Sequence, residues 1–104
     1  MVLEHADIRI LPGNQAEFEA AMQHGLSTVH ARAQGMQGYK LERCVEAPER
    51  YLLQIQWNRL DDHMVTYRES EPAAEFRAIV RPYLVQPAEV LHFELVLQGE
   101  GSKV

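Results

Sequence analysis

Three side chains near the middle of the chain, Trp57, His63 and Arg68, are of types that can move a proton or hold an anion. A histidine ordinarily titrates near neutral pH, so His63 could take a proton from a phenolic or enolic group. An arginine such as Arg68 could steady a carboxylate or an oxyanion, and a buried indole N–H usually needs an acceptor. We therefore treat these three residues as the candidate catalytic residues.

Trp57 and His63 lie close enough in sequence to face one space. Residues 51–57 alternate as a strand does, and Trp57 ends that strand. Asn58 then offers a helix N-cap, and two aspartates fall in the first turn, where the helix dipole favours acidic groups. His63 lies about one turn into this helix. The pattern predicts that Trp57 and His63 meet between a sheet and a helix.

Further aromatic side chains could form the walls of that space. The residues predicted to line the pocket are Tyr39, Tyr51, Tyr67, Phe76 and Tyr83. A structural interpretation stays open beside each functional one, because Trp57 could be an ordinary core residue and tyrosine is common in half-buried sheet. His63 could bond only to neighbouring backbone, and Arg68 could pair with a nearby surface glutamate.

Hydrophobic periodicity predicts the elements that position these residues. Alternation indicates strands over residues 2–10, 38–45, 51–57 and 88–97, and helical spacing indicates a helix over residues 14–34 and shorter helices on either side of residue 70. This βαββαβ order predicts an α+β protein with the ferredoxin-like fold. We expect a four-stranded antiparallel sheet with both helical layers on one face.

Local signals mark three helix ends. Asn14 with Glu17 three residues later is a candidate capping box. Ser70 followed by Pro72 is a second candidate helix start. Gly35 is a candidate C-terminal stop for the long helix.

The two faces of the predicted sheet have different compositions. The apolar phases of strands and helices predict one core formed by Phe18, Met22, Leu53, Ile55, Trp57, Phe76 and Phe93. The opposite face mixes polar and apolar residues, with His5, Asp7, Arg9, Leu52, Gln54, Gln56, His92, Glu94 and Val96. Because a mixed face is seldom left open to water, we expect a homodimer through this sheet face, with His5 and His92 at the interface.

Length and composition exclude several classes of protein. With 104 residues, the chain is predicted to form one domain over residues 1–98, followed by a polar tail over residues 99–104. A formal net charge of −5 without a basic run argues against nucleic-acid and membrane partners. The single cysteine, Cys44, excludes an internal disulfide and is typical of the cytoplasm. The histidine spacings match no metal motif, so no metal is expected.

The ordered set of motifs resembles the antibiotic biosynthesis monooxygenase (ABM) domain family over nearly the whole chain. The matching features are a Pro12-Gly13 turn before an acidic helix, Gly35-Met36-Gln37-Gly38-Tyr39, Trp57, His63, Tyr67-Arg68, Ser70, Phe76-Arg77, Pro82-Tyr83 and His92-Phe93. The resemblance implies a dimeric α+β barrel with a cavity between sheet and helices in each subunit. Some members oxidise aromatic polyketides with O2 and no metal or flavin, relatives degrade haem, and others have no known substrate.

Two departures narrow what the resemblance implies. Polyketide-oxidising members have an asparagine a few residues before the tryptophan, where this chain has Leu53. Haem-degrading relatives have an asparagine on the first strand and a histidine about ten residues after the tryptophan, where this chain has Tyr67, so haem degradation is disfavoured.

Two hypotheses follow. The first is a cofactor-independent monooxygenase that oxidises a small aromatic or quinol-type substrate with O2, using His63 as base and Arg68 and Trp57 as anion partners. The alternative is a non-catalytic homodimeric module of the same fold that binds a small ligand.

Overall fold

The computed structural model describes residues 1–29 and 32–102. Four strands, β1 (Val2–Arg9), β2 (Met36–Arg43), β3 (Arg50–Trp57) and β4 (Glu89–Phe93), form one sheet in the order β2-β3-β1-β4. Every neighbouring pair is antiparallel. The predicted ferredoxin-like α+β fold is therefore confirmed.

Helices cover one face of this sheet. Helix α1 (Gln15–His24) continues as a π-helix over Gly25–Val29, and a second π-helix spans Asp62–Tyr67. Helix α2 (Glu71–Val80) follows and ends in a 3-10 turn over Arg81–Tyr83. Residues 30 and 31 of the predicted long helix lie outside the described residues. Among the described residues, no helix has the length and apolar character needed to cross a membrane.

The predicted helix caps have different outcomes. Ser70 caps α2, because its Oγ accepts the backbone N–H of Ala73 at 3.3 Å, and Pro72 lies in the first turn. At α1 the carbonyl of Asn14 accepts the Phe18 N–H at 2.9 Å, but the Asn14 side chain makes no capping bond. The capping box predicted there is therefore wrong in its side-chain part.

The core lies between the sheet and the helices. It contains the predicted members Phe18, Met22, Leu53, Ile55 and Trp57, and Phe76 packs against it in a partly buried position. Phe93 was also predicted in this core, and that prediction is wrong, because its side chain is 47% exposed.

The register between β1 and β4 explains the error. Leu3 pairs with Phe93, and Glu4 pairs with His92. Paired residues point to the same face of a sheet, so Phe93 lies on the outer face and His92 lies on the face toward the helices. The prediction that His92 belongs to the outer face and its interface is therefore wrong.

Gly35 fixes the approach of the π-helix Asp62–Tyr67 to the sheet. Its φ of +81° is a left-handed conformation that favours glycine, and a Cβ atom there would collide with the Asp62 carboxylate. The Gly35 carbonyl also accepts the Asn58 N–H at 2.8 Å, and Asp62 Oδ2 accepts the Arg59 N–H at 3.1 Å. These contacts hold the start of the π-helix, and with it His63, against the end of β3.

Candidate active site

Strand β1 brings an unexpected carboxylate, Glu4, into the layer between sheet and helices. Glu4 shares the inward phase of Ala6 and Ile8 and is 5% exposed. The Trp57 indole N–H donates to Glu4 Oε1 at 2.9 Å, and the Trp57 side chain is fully buried. The buried indole therefore has an acceptor, and that acceptor is an ionisable group.

His63 lies directly on this pair. Its ring stacks on Trp57 with centroids 5.0 Å apart and an interplanar angle of 13°. His63 Nε2 is 3.3 Å from Glu4 Oε1, and His63 Nδ1 is 2.7 Å from His92 Nε2. The structure thus brings Trp57 and His63 together between sheet and helix, as the sequence pattern predicts, and adds Glu4 and His92 to them.

Burial controls the protonation of this cluster. Desolvation raises the pKa of Glu4 to about 7, although the hydrogen bond from Trp57 acts in the opposite direction. Desolvation, with smaller contributions from His92 and Arg68, lowers the pKa of His63 to about 4. The pKa of His92 is also lowered by burial. Near neutral pH, the cluster therefore contains neutral imidazoles beside a carboxyl group that is close to half ionised.

A cavity of about 960 Å³ adjoins the cluster. Glu4, His63 and His92 form its polar wall, and the apolar wall includes Ala6, Ile8, Met22, Leu53, Phe76, Val80, Leu84 and Val90. A volume of this size accommodates a small-molecule ligand, and a mostly apolar lining with a few converging polar groups is typical of such sites.

Three arginines, Arg68, Arg77 and Arg81, also line the cavity. Within residues 1–29 and 32–102, none of their guanidinium groups lies within ion-pair distance of a carboxylate. They are therefore available to a ligand, and guanidinium groups bind carboxylates and oxyanions well. The predicted candidate Arg68 lines the cavity, and so do Arg77 and Arg81, which were not among the predicted site residues.

The predicted aromatic walls divide into two groups. Tyr67 and Phe76 line the cavity. Tyr39, Tyr51 and Tyr83 do not: Tyr39 is 42% exposed, Tyr51 is buried and donates to Glu19, and the Tyr83 ring contacts Phe18. The structure does not bring these three tyrosines to the site.

Glu4 and His92 were not predicted from the sequence as members of the cluster around His63. Glu4 had a signal, because a charged residue occupies the apolar phase of β1, where burial without a partner is costly. His92 had none, because the alternation of Leu91, Phe93 and Leu95 favours the opposite orientation of β4. Within the described residues, no group of three or more His, Cys, Asp or Glu side chains has an arrangement that could hold a metal ion.

Comparison with known proteins assigns the family. The profile of the antibiotic biosynthesis monooxygenase family matches residues 1–82. The chain belongs to the ABM family. The match includes Glu4, Trp57 and His63 and ends before β4, so His92 lies beyond it.

Three individual proteins are similar to the chain. The chain is 38% identical to a provisionally assigned antibiotic biosynthesis monooxygenase of Bordetella bronchiseptica, with 92% of this chain and 97% of that chain covered and a TM-score of 0.87. It is 32% identical over 97 residues to the uncharacterized protein YczJ of Bacillus subtilis strain 168, covering 90% and 98% of the two chains. An ABM structure from Caulobacter crescentus, 18% identical, shares the fold with a TM-score of 0.78 over 92% of this chain and 90% of that one.

Proposed function

We propose that the protein is a cofactor-independent monooxygenase that oxidises a small aromatic or quinol-type substrate with O2. The observation that carries the proposal is the cluster of Glu4, His63 and His92 on the wall of an apolar cavity. This arrangement offers a proton acceptor and a mostly apolar binding site, and ABM membership is consistent with the reaction type.

The reaction needs no cofactor if the substrate itself supplies the electrons. Removing a phenolic proton gives an electron-rich anion, which forms a C–O bond with O2. The O–O bond then breaks, so that one oxygen stays on the ring and the other leaves as water. A hydroquinone and O2 thereby give a hydroxyquinone and water, with the two additional electrons taken from the substrate.

The cavity walls suit such an anion. Arg68, Arg77 and Arg81 would supply positive charge to a bound phenolate, and a substrate that filled the apolar part of the cavity would displace water and strengthen these interactions. The neutral aromatic body of the substrate would contact Phe76 and its aliphatic neighbours. The two cavity-lining aromatic residues that sequence predicted, Tyr67 and Phe76, would therefore bind the substrate.

Oxygen uptake tests this proposal. Metal-free protein is incubated with a panel of hydroquinones and naphthols, and the uncatalysed rate is subtracted. We expect His63→Ala to lower turnover by about 10²–10⁴-fold, the range for losing a residue that handles the proton. His24→Ala, on the exposed side of α1, is the matched control and keeps wild-type turnover. If no substrate is consumed, or if both variants equal the wild type, the protein is a ligand-binding module.

We further propose that two copies pair through the outer face of the sheet. Leu91 is 63% exposed and Phe93 is 47% exposed, and both lie on this face with Leu3 and Leu52. Leu3, Leu91 and Phe93 are neighbours across β1 and β4 and form an apolar patch that a second copy would cover, and Leu52 lies on β3 beyond His5 and Asp7.

Light scattering tests the dimer. Wild type is expected at twice the 11.9 kDa of one chain at micromolar concentration. Leu91→Glu should dissociate it, because the interface would bury an unpaired charge. Val45→Glu, in the exposed turn between β2 and β3, is the control and stays dimeric. A wild-type monomer would contradict the proposal.

A further inference from the structure

The contacts of His63 with Glu4 and His92 favour one arrangement of its protons. An indole N–H only donates, so Glu4 Oε1 acts as an acceptor toward Trp57. His63 Nε2 lies 3.3 Å from the same oxygen, which is close enough for the carboxylate to attract a hydrogen on Nε2. In a neutral imidazole the other nitrogen, Nδ1, then has the lone pair and accepts from His92 Nε2–H at 2.7 Å.

This arrangement leaves His63 without a free basic nitrogen. Nδ1 bonds to His92 and Nε2 lies against the Glu4 carboxylate, so a substrate would have to displace a protein group to reach either atom. In the same tautomer, His92 Nε2–H donates to His63. The other ring nitrogen of His92, Nδ1, then carries a lone pair and does not bond to His63. His92 also lines the cavity.

We infer that Glu4 is the final proton acceptor of the site, that His92 receives the proton from the substrate, and that His63 passes it between them. The substrate O–H bond breaks and an N–H bond forms at His92 Nδ1. His92 Nε2 gives its proton to His63 Nδ1, and His63 Nε2 gives its proton to the Glu4 carboxylate. One proton enters and one carboxyl group is protonated, so charge and atoms balance, and no histidine remains charged.

The electrostatic surroundings suit this direction of transfer. Burial disfavours an imidazolium at His63 and raises the pKa of Glu4 to about 7. The proton is therefore bound more strongly by the Glu4 carboxylate than by the His63 ring. A base is most effective when its pKa lies near the working pH.

Several other groups act on the same carboxylate and must be counted in any pH dependence. Trp57 on β3 donates to Glu4 and favours its ionised form. Tyr67 on the π-helix lies close enough to interact electrostatically with Glu4. Positive charge at the cavity wall comes from Arg68, which follows the π-helix, from Arg77 on α2 and from Arg81 after α2.

NMR of the histidine rings tests the relay without requiring turnover. In wild type we expect the Nε2–H tautomer of His63, and ring ¹⁵N signals of His63 that shift with the same midpoint as the Glu4 carboxyl signal. Glu4→Gln keeps the size and an acceptor oxygen but cannot take a proton, so this shared midpoint should disappear. Glu69→Gln, on the exposed turn before α2, should leave it unchanged.

Turnover of the same variants gives the second readout. Because Glu4 must be ionised, wild-type turnover should rise with pH around a midpoint near 7. Glu4→Gln should lose about 10²-fold or more and lose this pH dependence. His92→Gln should lose turnover as well, whereas His24→Gln, on the exposed side of α1, should not.

The two readouts separate this inference from the proposed function, on which it rests for the source of the proton. If wild type consumes no O2 with any phenol but His63 follows the Glu4 titration, the proton network stands and the proposed reaction is wrong. If His63 has the Nδ1–H tautomer, or does not follow Glu4, or if Glu4→Gln turns over like wild type, the relay is overturned.

Discussion

The two ends of β3 each place a buried aromatic donor against a glutamate, with opposite results. At one end the Tyr51 hydroxyl donates to Glu19 Oε2 at 2.6 Å, and the Arg43 guanidinium donates to the same oxygen at 2.6 Å. These bonds, first from Tyr51 and then from Arg43, lower the pKa of Glu19. At the other end Trp57 donates to Glu4, and burial raises the pKa of Glu4 to about 7.

The difference shows that an aromatic hydrogen bond alone does not decide the charge of a carboxylate. Glu19 lies near solvent with a guanidinium beside it, so it remains ionised and links α1 to the sheet. Glu4 is buried beside neutral imidazoles, so its proton is only loosely held near neutral pH. The Tyr51 end therefore stabilises the fold, and the Trp57 end keeps an exchangeable proton next to a cavity.

The largest expected effect is the loss of unfolding free energy when a core phenylalanine is replaced at each end. Phe18 at the Tyr51 end is fully buried, and the centroids of the Phe18 and Tyr51 rings are 4.8 Å apart. Phe18→Ala should cost roughly 3–5 kcal/mol, because a new cavity opens in close-packed surroundings. Phe76→Ala should cost less, because Phe76 is partly buried and already lines a cavity. Urea denaturation at one protein concentration measures both, and an equal or larger loss for Phe76→Ala would contradict the comparison.

The pH dependence of stability should separate the two titrating groups at the Trp57 end. The folded pKa of Glu4 lies above its ordinary 4.5, so its stabilising contribution is complete below pH 4.5 and is lost as pH rises through 7. The folded pKa of His63 lies below its ordinary 6.5, so its contribution is complete above pH 6.5 and is lost as pH falls through 4. Between pH 4.5 and 6.5 the two trends oppose each other in wild type.

Removing either group should expose the trend of the other. Glu4→Gln should lose stability on acidification from pH 6.5 to 4. His63→Gln should lose about 3 kcal/mol as the pH rises from 4.5 to above 7, the value expected for a shift of this size at a buried carboxyl. The unfolding free energies of wild type and both variants are measured across this range. Parallel pH profiles for the two variants would show that neither group titrates with the assigned shift.

The fold and the approach of His63 to Trp57 are predictable from the sequence for identifiable reasons. The alternation in β3 and the cap at Ser70 are local signals, so Trp57, His63 and α2 were placed correctly. The orientation of β4 depends on its pairing with β1, which no local pattern reports. The sheet faces predicted for His92 and Phe93 are therefore each the wrong one. Glu4 was missed for a related reason: its role comes from Trp57, 53 residues away, and from His63, which packs over both.

The smallest expected effect comes from removing the donor at each end of β3. Trp57→Phe takes the N–H away from the buried Glu4 and leaves a space behind the smaller ring, which should cost about 1–3 kcal/mol. Tyr51→Phe removes one donor from Glu19, but the bonds from Arg43 remain, so its cost should be about 0.5–1.5 kcal/mol.

Carboxyl NMR titration of these two variants adds a test that stability alone does not give. Both hydrogen bonds favour the ionised carboxylate, so both substitutions should raise the pKa of the glutamate involved. Glu4 in Trp57→Phe should then titrate above 7. A larger fraction of Glu4 would be protonated at neutral pH and unable to accept the proton of the substrate. Glu19 in Tyr51→Phe should stay ionised there, because Arg43 still holds it. If Glu4 instead titrated at a lower pH in Trp57→Phe, water would have entered behind the phenylalanine, and burial would no longer control its charge.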